Sequence, residues 1–178
     1  MILNDDAVEW LAQASPVPGR FKERCHTHPC ERRRVMAGRT FDVIDLTIEL
    51  GEILIDGARK RARQLGPVCI ENESRMLFFV ERCIPPVSFE EVLYDSHQNE
   101  YKIKYRTSGM AVILPPVDLN NEDQWVIPPM TYSPFLPSAV ELREVLLGAL
   151  DDLCTANLAE AVRNLRLVSD RPPFKPAG

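Results

Sequence analysis

Residues Cys25, His26, His28 and Cys30 fall within six positions of one another and are all types that bind zinc. Structural zinc sites use two short ligand pairs separated along the chain, so that a loop can close tetrahedrally around the ion. These four sit within one turn-length, and no second C-x2-C or H-x3-H pair exists. The segment is therefore expected to bind no metal. Two carboxylates, Asp42 and Asp45, stand in FDVIDLTI, a run rich in aromatic and β-branched residues that reads as a strand. Positions three apart on a strand point to opposite faces, so this pair is badly placed to chelate one Mg²⁺. Glu81 follows the apolar run MLFFV and is the third acidic candidate. His97, with Ser96 and Asp95 beside it, lies in a polar loop, where adjacency cannot build a triad. There is no G-x-S-x-G, no glycine-rich loop opening a helix and no Walker-type lysine.

The second chemical feature is charge. The chain of 178 residues has a net charge of -5, yet residues 17–39 carry Arg20, Lys22, Arg24, Arg32, Arg33, Arg34 and Arg39 against Glu23 and Glu31. RKRAR at 59–63 is a second cluster, and beyond residue 63 acidic side chains outnumber basic ones by sixteen to ten. A nucleic-acid binder needs a local basic face rather than a basic average. The seven basic residues of 20–39 are the candidate contact. With no aromatic between Phe21 and Phe41, contact there is expected to be electrostatic, with little base stacking. A third candidate is an apolar small-molecule pocket lined by Trp125, Tyr132 and Phe135.

The elements that must position these residues follow from periodicity. A short helix capped at Asn4 or Asp5 runs through about Gln13. SPVPG ends it, and the charged stretch 20–34 is expected to be irregular. After the strand at 41–48 a helix spans about 52–65. VCI (68–70) and MLFFV (76–80) form a hairpin around the polar link ENES. A short helix is expected from Ser88 to about Tyr94. YKIKY, MAVILPP and QWVIPP read as strands, and Ser138 caps a long helix from about 139 to 167. The expected fold is α+β, a mostly antiparallel sheet including 41–46, 68–71, 76–80 and 110–114 with helices packed on it. Residues 1–170 should form one domain and 171–178 a flexible tail. Five cysteines without disulfide density, no apolar run of membrane-spanning length and no basic leader imply a cytoplasmic protein without a membrane partner. The two apolar stripes of the C-terminal helix suit a core or a homo-oligomer contact.

Seven short stretches occur in an order and at a spacing that resemble a known family: WLAQASPVP (10–18), HP (28–29), AGRTFDVI (37–44), LGPVCI (65–70), RMLFFV (75–80), GMAVILPP (109–116) and WVIPP (125–129). The pattern is similar to actinobacterial proteins grouped with the N-terminal domain of bifunctional DNA primase/polymerases, the prim-pol family. It covers residues 7 to about 150. The resemblance implies an RRM-like antiparallel sheet with helices on one side. It also implies an acidic D-x-D or D-x-E pair, an s-x-H motif and a further metal-binding aspartate in active members. This chain has D-V-I-D at 42–45, Ser96 and His97 adjacent, and Glu81 where the aspartate would stand. It therefore reads as a degenerate member, a non-catalytic module binding a nucleotide, nucleic acid or protein. The alternatives are an accessory enzyme or small-molecule-binding protein of specialised metabolism, and a surviving nucleotidyltransferase. No cofactor is expected, with Mg²⁺ or Mn²⁺ implied only by the last of these.

Overall fold

In the computed structural model, residues 3–83, 90–94, 100–118, 124–131 and 133–169 are described, with backbone alone at 90–94, 100–101 and 157–169. Among the described residues, four helices and two antiparallel sheets make an α+β fold.

The chain opens with α1 (Asp5–Gln13), whose N-cap Asn4 accepts from the Ala7 amide at 2.9 Å. Two aspartates in its first turn suit the positive end of the helix dipole. The next element departs from expectation: α2 (Pro18–Thr27) is a helix inside the stretch read as irregular. Its buried face consists of Phe21 and Cys25 alone, one turn apart. Two apolar residues among charges leave no visible period. Proline at the first position suits a helix start, because its missing N–H has no intrahelical partner there.

Strand β1 (Arg33–Met36) pairs antiparallel with β7 (Ala111–Leu114), forming a separate two-stranded sheet. Residues 110–114 were expected in the main sheet, and this corrects that assignment. Among the described residues the main sheet has six strands in the order β5-β6-β2-β4-β3-β8. These are β2 (Asp42–Thr47), β3 (Val68–Glu71), β4 (Arg75–Val80), β5 (Glu90–Tyr94), β6 (Glu100–Arg106) and β8 (Trp125–Ile127). The region expected as a short helix up to Tyr94 is β5, paired residue for residue with β6 from Glu90↔Lys104 to Tyr94↔Glu100. Cross-strand pairing here overrides a local capping pattern. Residue 88 lies outside the described residues.

Helix α3 (Ile48–Lys60) begins where Thr47 caps it through Leu50 N, and it carries the chain from β2 to β3. Strand β4 then returns between those two, antiparallel to both. This is a split β-α-β unit. The hairpin turn places Asn72 and Glu73 in the left-handed region, at φ 53° and 59°.

Pairing register sorts the two sheet faces. Ile44↔Phe78 and Leu46↔Met76 share one face with Ile103 and Tyr105. That face is covered by Leu50, Leu54 and Ala58 of α3 and by Leu142, Val145 and Leu146 of α4 (Ala139–Ser169). Gly57 lets the two helices approach closely, since a Cβ there would sit 2.7 Å from that of Ala149. Val43↔Phe79 lies on the other face, with Leu77, under Trp10, Leu11, Phe21, Val35 and Val112. Phe41 and Phe79 meet edge to face at 4.7 Å, and Trp10 and Trp125 flank them at 5.1 and 6.1 Å. Both faces of the sheet are therefore covered. Among the described residues no helix is long and apolar enough to cross a membrane.

Candidate functional site

The two aspartates of β2 part company. Asp45 shares the face of Val43, and Asp42 shares that of Ile44, as the i, i+3 spacing requires. Asp45 is buried and fully engaged. Its Oδ1 accepts from Arg75 Nε at 2.5 Å, and its Oδ2 from Arg106 Nε at 2.8 Å and Nη2 at 2.5 Å. Arg106 also forks onto Glu71, at 3.0 and 2.5 Å. Burial alone would lower the Arg106 pKa, but hydrogen bonds and charge from Glu71 and Asp45 hold it above the usual arginine value. Two arginines and two carboxylates balance in charge. The cluster also ties the sheets together, because Glu71 accepts from Ile113 N at 3.0 Å and Arg106 donates to Ala111 O at 3.2 Å. Asp45 thus serves cohesion between strands and offers no free oxygen to a metal.

Asp42 is buried as well, and its Oδ2 accepts from Cys83 N at 2.8 Å. Oδ1 has no partner among the described residues, and the Gly38 amide is already committed to Phe41 O at 2.8 Å. Burial pushes the Asp42 carboxyl up, with the Cys83 amide and the Arg82 charge pulling back only in part. Asp42 and Glu81 line one cavity of about 110 Å³, with Val80, Tyr105, Val140 and Arg143. Two of the three acidic candidates therefore come together and the third is held on the opposite face. Among the described residues, no group of three or more His, Cys, Asp and Glu side chains could hold a metal ion.

The basic segment is brought together by α2 and β1. Arg20, Arg24, Arg32, Arg33 and Arg34 line a concavity of about 450 Å³ with Ser15, Pro16, Val17 and Phe21. No carboxylate is among these lining residues. The arginines are not equivalent. Arg33 is buried, and its guanidinium donates to the carbonyls of Arg24, His28 and Glu31, which fastens the C-terminal end of α2 to β1. Arg24 pairs with exposed Glu31 at 2.6 Å and holds that carboxyl below its usual range. Lys22 pairs with Glu9 at 2.8 Å, and Arg39 donates to Ser15 O at 3.1 Å. Arg20 and Arg34 are exposed, and exposed Arg32 makes a single long bond to Asn72 at 3.3 Å. Of the seven basic candidates, five line the concavity. Lys22 and Arg39 are engaged outside it.

Cys25 points into the core, and burial pushes its thiol up, whereas His26, His28 and Cys30 are exposed. Trp125 is a core residue whose indole donates to Pro116 O at 3.1 Å, and Phe135 is 45% exposed. Tyr132, and likewise Asp95, Ser96 and His97, lie outside the described residues. Sequence reading did not single out Glu71, Arg75 and Arg106. Each sits at a strand end, where a charged residue is ordinarily taken for solvated surface. No known protein family, curated protein or solved structure matches the chain.

Proposed function

We propose that the protein is a non-catalytic nucleic-acid-binding module, as the prim-pol resemblance implies, working in the cytoplasm without a cofactor. The observation that carries this reading is the arginine concavity of α2 and β1, which no acidic side chain lines among the described residues. An RRM-like module would bind through its open sheet face, but here helices and a second sheet cover both faces. Binding then falls to the basic segment. Separation of Asp42 and Glu81 from Asp45 argues against two-metal nucleotidyl transfer, which needs its carboxylates converging on one point. The largely apolar cavity beside Asp42 favours, as a second reading, an accessory role that takes a small molecule.

The test is fluorescence anisotropy with labelled DNA and RNA over a range of salt. Each phosphate contact contributes roughly 0.7–0.9 to the slope of log affinity against log salt. Replacing Arg20, Arg32 and Arg34 together with alanine should flatten that slope by about 2–3 and weaken all sequences alike. Binding that ignores salt, or survives the triple substitution unchanged, would place the contact elsewhere.

A further inference from the structure

Resting on the small-molecule reading above rather than on the arginine concavity, we infer that the cavity beside Asp42 binds a small aliphatic primary amine, held as its ammonium ion by the Asp42 carboxylate.

The cavity lies where the start of β2 and the ends of β4 and β6 meet the first turns of α4. Asp42, Val80 and Tyr105 line it from the sheet, and Ala139, Val140 and Arg143 from the helix. Asp42 is 4% exposed and stands on the sheet face that α4 covers. Its Oδ2 accepts from the Cys83 amide, whereas Oδ1 is buried without a partner among the described residues. Buried polar atoms are nearly always bonded, so an orphan acceptor on a cavity wall points to a donor from outside the chain. Water is a poor match. A buried water is held by about three polar groups, and the surface this lining presents is almost wholly apolar.

Charge selects the donor. Burial penalises the Asp42 carboxylate, and a cation beside it offsets that penalty, whereas a neutral donor supplies the hydrogen bond alone. Exposed Glu81 lines the same cavity, so two carboxylates stand against one guanidinium, that of Arg143, among the described lining residues. The charge of exposed Arg82 reaches Asp42, but its side chain is off the lining and leaves Oδ1 without a donor. Size limits the body of the ligand. An apolar cavity of about 150 Å³ takes up benzene, so one of about 110 Å³ suits a branched alkyl group of roughly four carbons.

The probes are isobutylamine and isobutanol, alike in shape and different in the charge of the head. Each is titrated into the intact protein at neutral pH and constant ionic strength, with amide shifts followed by NMR. The Cys83 amide, bonded to Asp42 at 2.8 Å, is the local reporter. Isobutylamine should shift it and bind about tenfold tighter than isobutanol, as one charge-assisted hydrogen bond allows. Asp42→Asn keeps the shape and removes a buried charge, so the variant stays folded, and it should bring the two probes level. Ala139→Leu should fill the cavity and abolish binding of both. Equal affinity of the two probes for the unaltered protein would overturn the amine site and leave the small-molecule reading standing. A preference for isobutylamine retained in Asp42→Asn would do the same. No shift of the Cys83 amide with either probe, or binding unchanged in Ala139→Leu, would overturn both.

Discussion

Asp45→Asn tests whether the acidic centre of β2 serves cohesion or chemistry. The change keeps shape and removes one charge. Arg106 would retain Glu71, but Arg75 would lose the carboxylate it holds at 2.5 Å. Breaking a buried ion pair from one side costs about 3–5 kcal/mol. The Asp45 side chain is 3% exposed, but those of Arg75 and Arg106 are 21% and 15% exposed, so water relieves part of the loss. The lower end, about 3 kcal/mol, is therefore expected. For a chain of this size that lowers Tm by roughly 6–12 °C. Urea titration followed by fluorescence and a thermal scan would measure it. Arg75→Gln added to Asp45→Asn should cost less than Arg75→Gln alone, with a coupling of about 1 kcal/mol or more. An unchanged or raised Tm, the behaviour of a carboxylate held in reserve for a metal, would refute the structural role.

Asp42 gives a pH prediction. Its folded pKa is raised by burial, whereas an unfolded aspartate titrates near 3.9. The stability it contributes is complete below the unfolded value and is lost as pH rises through the folded one. The stability of Asp42→Asn relative to the unaltered protein should therefore climb from about pH 4 and level off above the folded pKa, and a flat difference in urea midpoints would contradict this. The arginine run should divide by role. Arg33→Ala, which strips three carbonyls at the end of α2 of their donor, should cost about 2–4 kcal/mol in urea titration, and Arg34→Ala should stay within about 0.5.

The fold was legible where burial writes a period. FDVIDLTI, the VCI and MLFFV hairpin, YKIKY and the Ser138-capped helix all appear close to their expected bounds. Helix α2 was not legible, because its buried face is two residues wide. Nor was β5, whose state depends on a partner strand about ten residues further on. The opposite orientations of Asp42 and Asp45 followed from strand geometry alone. What the Asp45 face holds did not, since Arg75 and Arg106 lie 30 and 61 positions away. Likewise the seven basic residues could be listed, but only folding separates buried Arg33 from its exposed neighbours Arg32 and Arg34.

The pairing of β1 with β7 has a consequence for synthesis. Met36 waits for Ala111, which lies 75 residues later (111 − 36), and Leu3 N waits for Val117 O. At about 5–20 residues per second, a ribosome needs about 4–15 s to deliver that partner. Throughout that interval β1 exists without its partner strand, and Val35 without the Val112 that stands opposite it. Nascent chains released before about residue 115 should accordingly be substrates for chaperones or aggregation. Arg32, Arg33 and Arg34 lead directly into the apolar end of β1, Val35 and Met36, during the wait, and charge on an unpaired strand deters edge-to-edge association. The same arginines that line the finished concavity thus act earlier as gatekeepers of the unfinished chain.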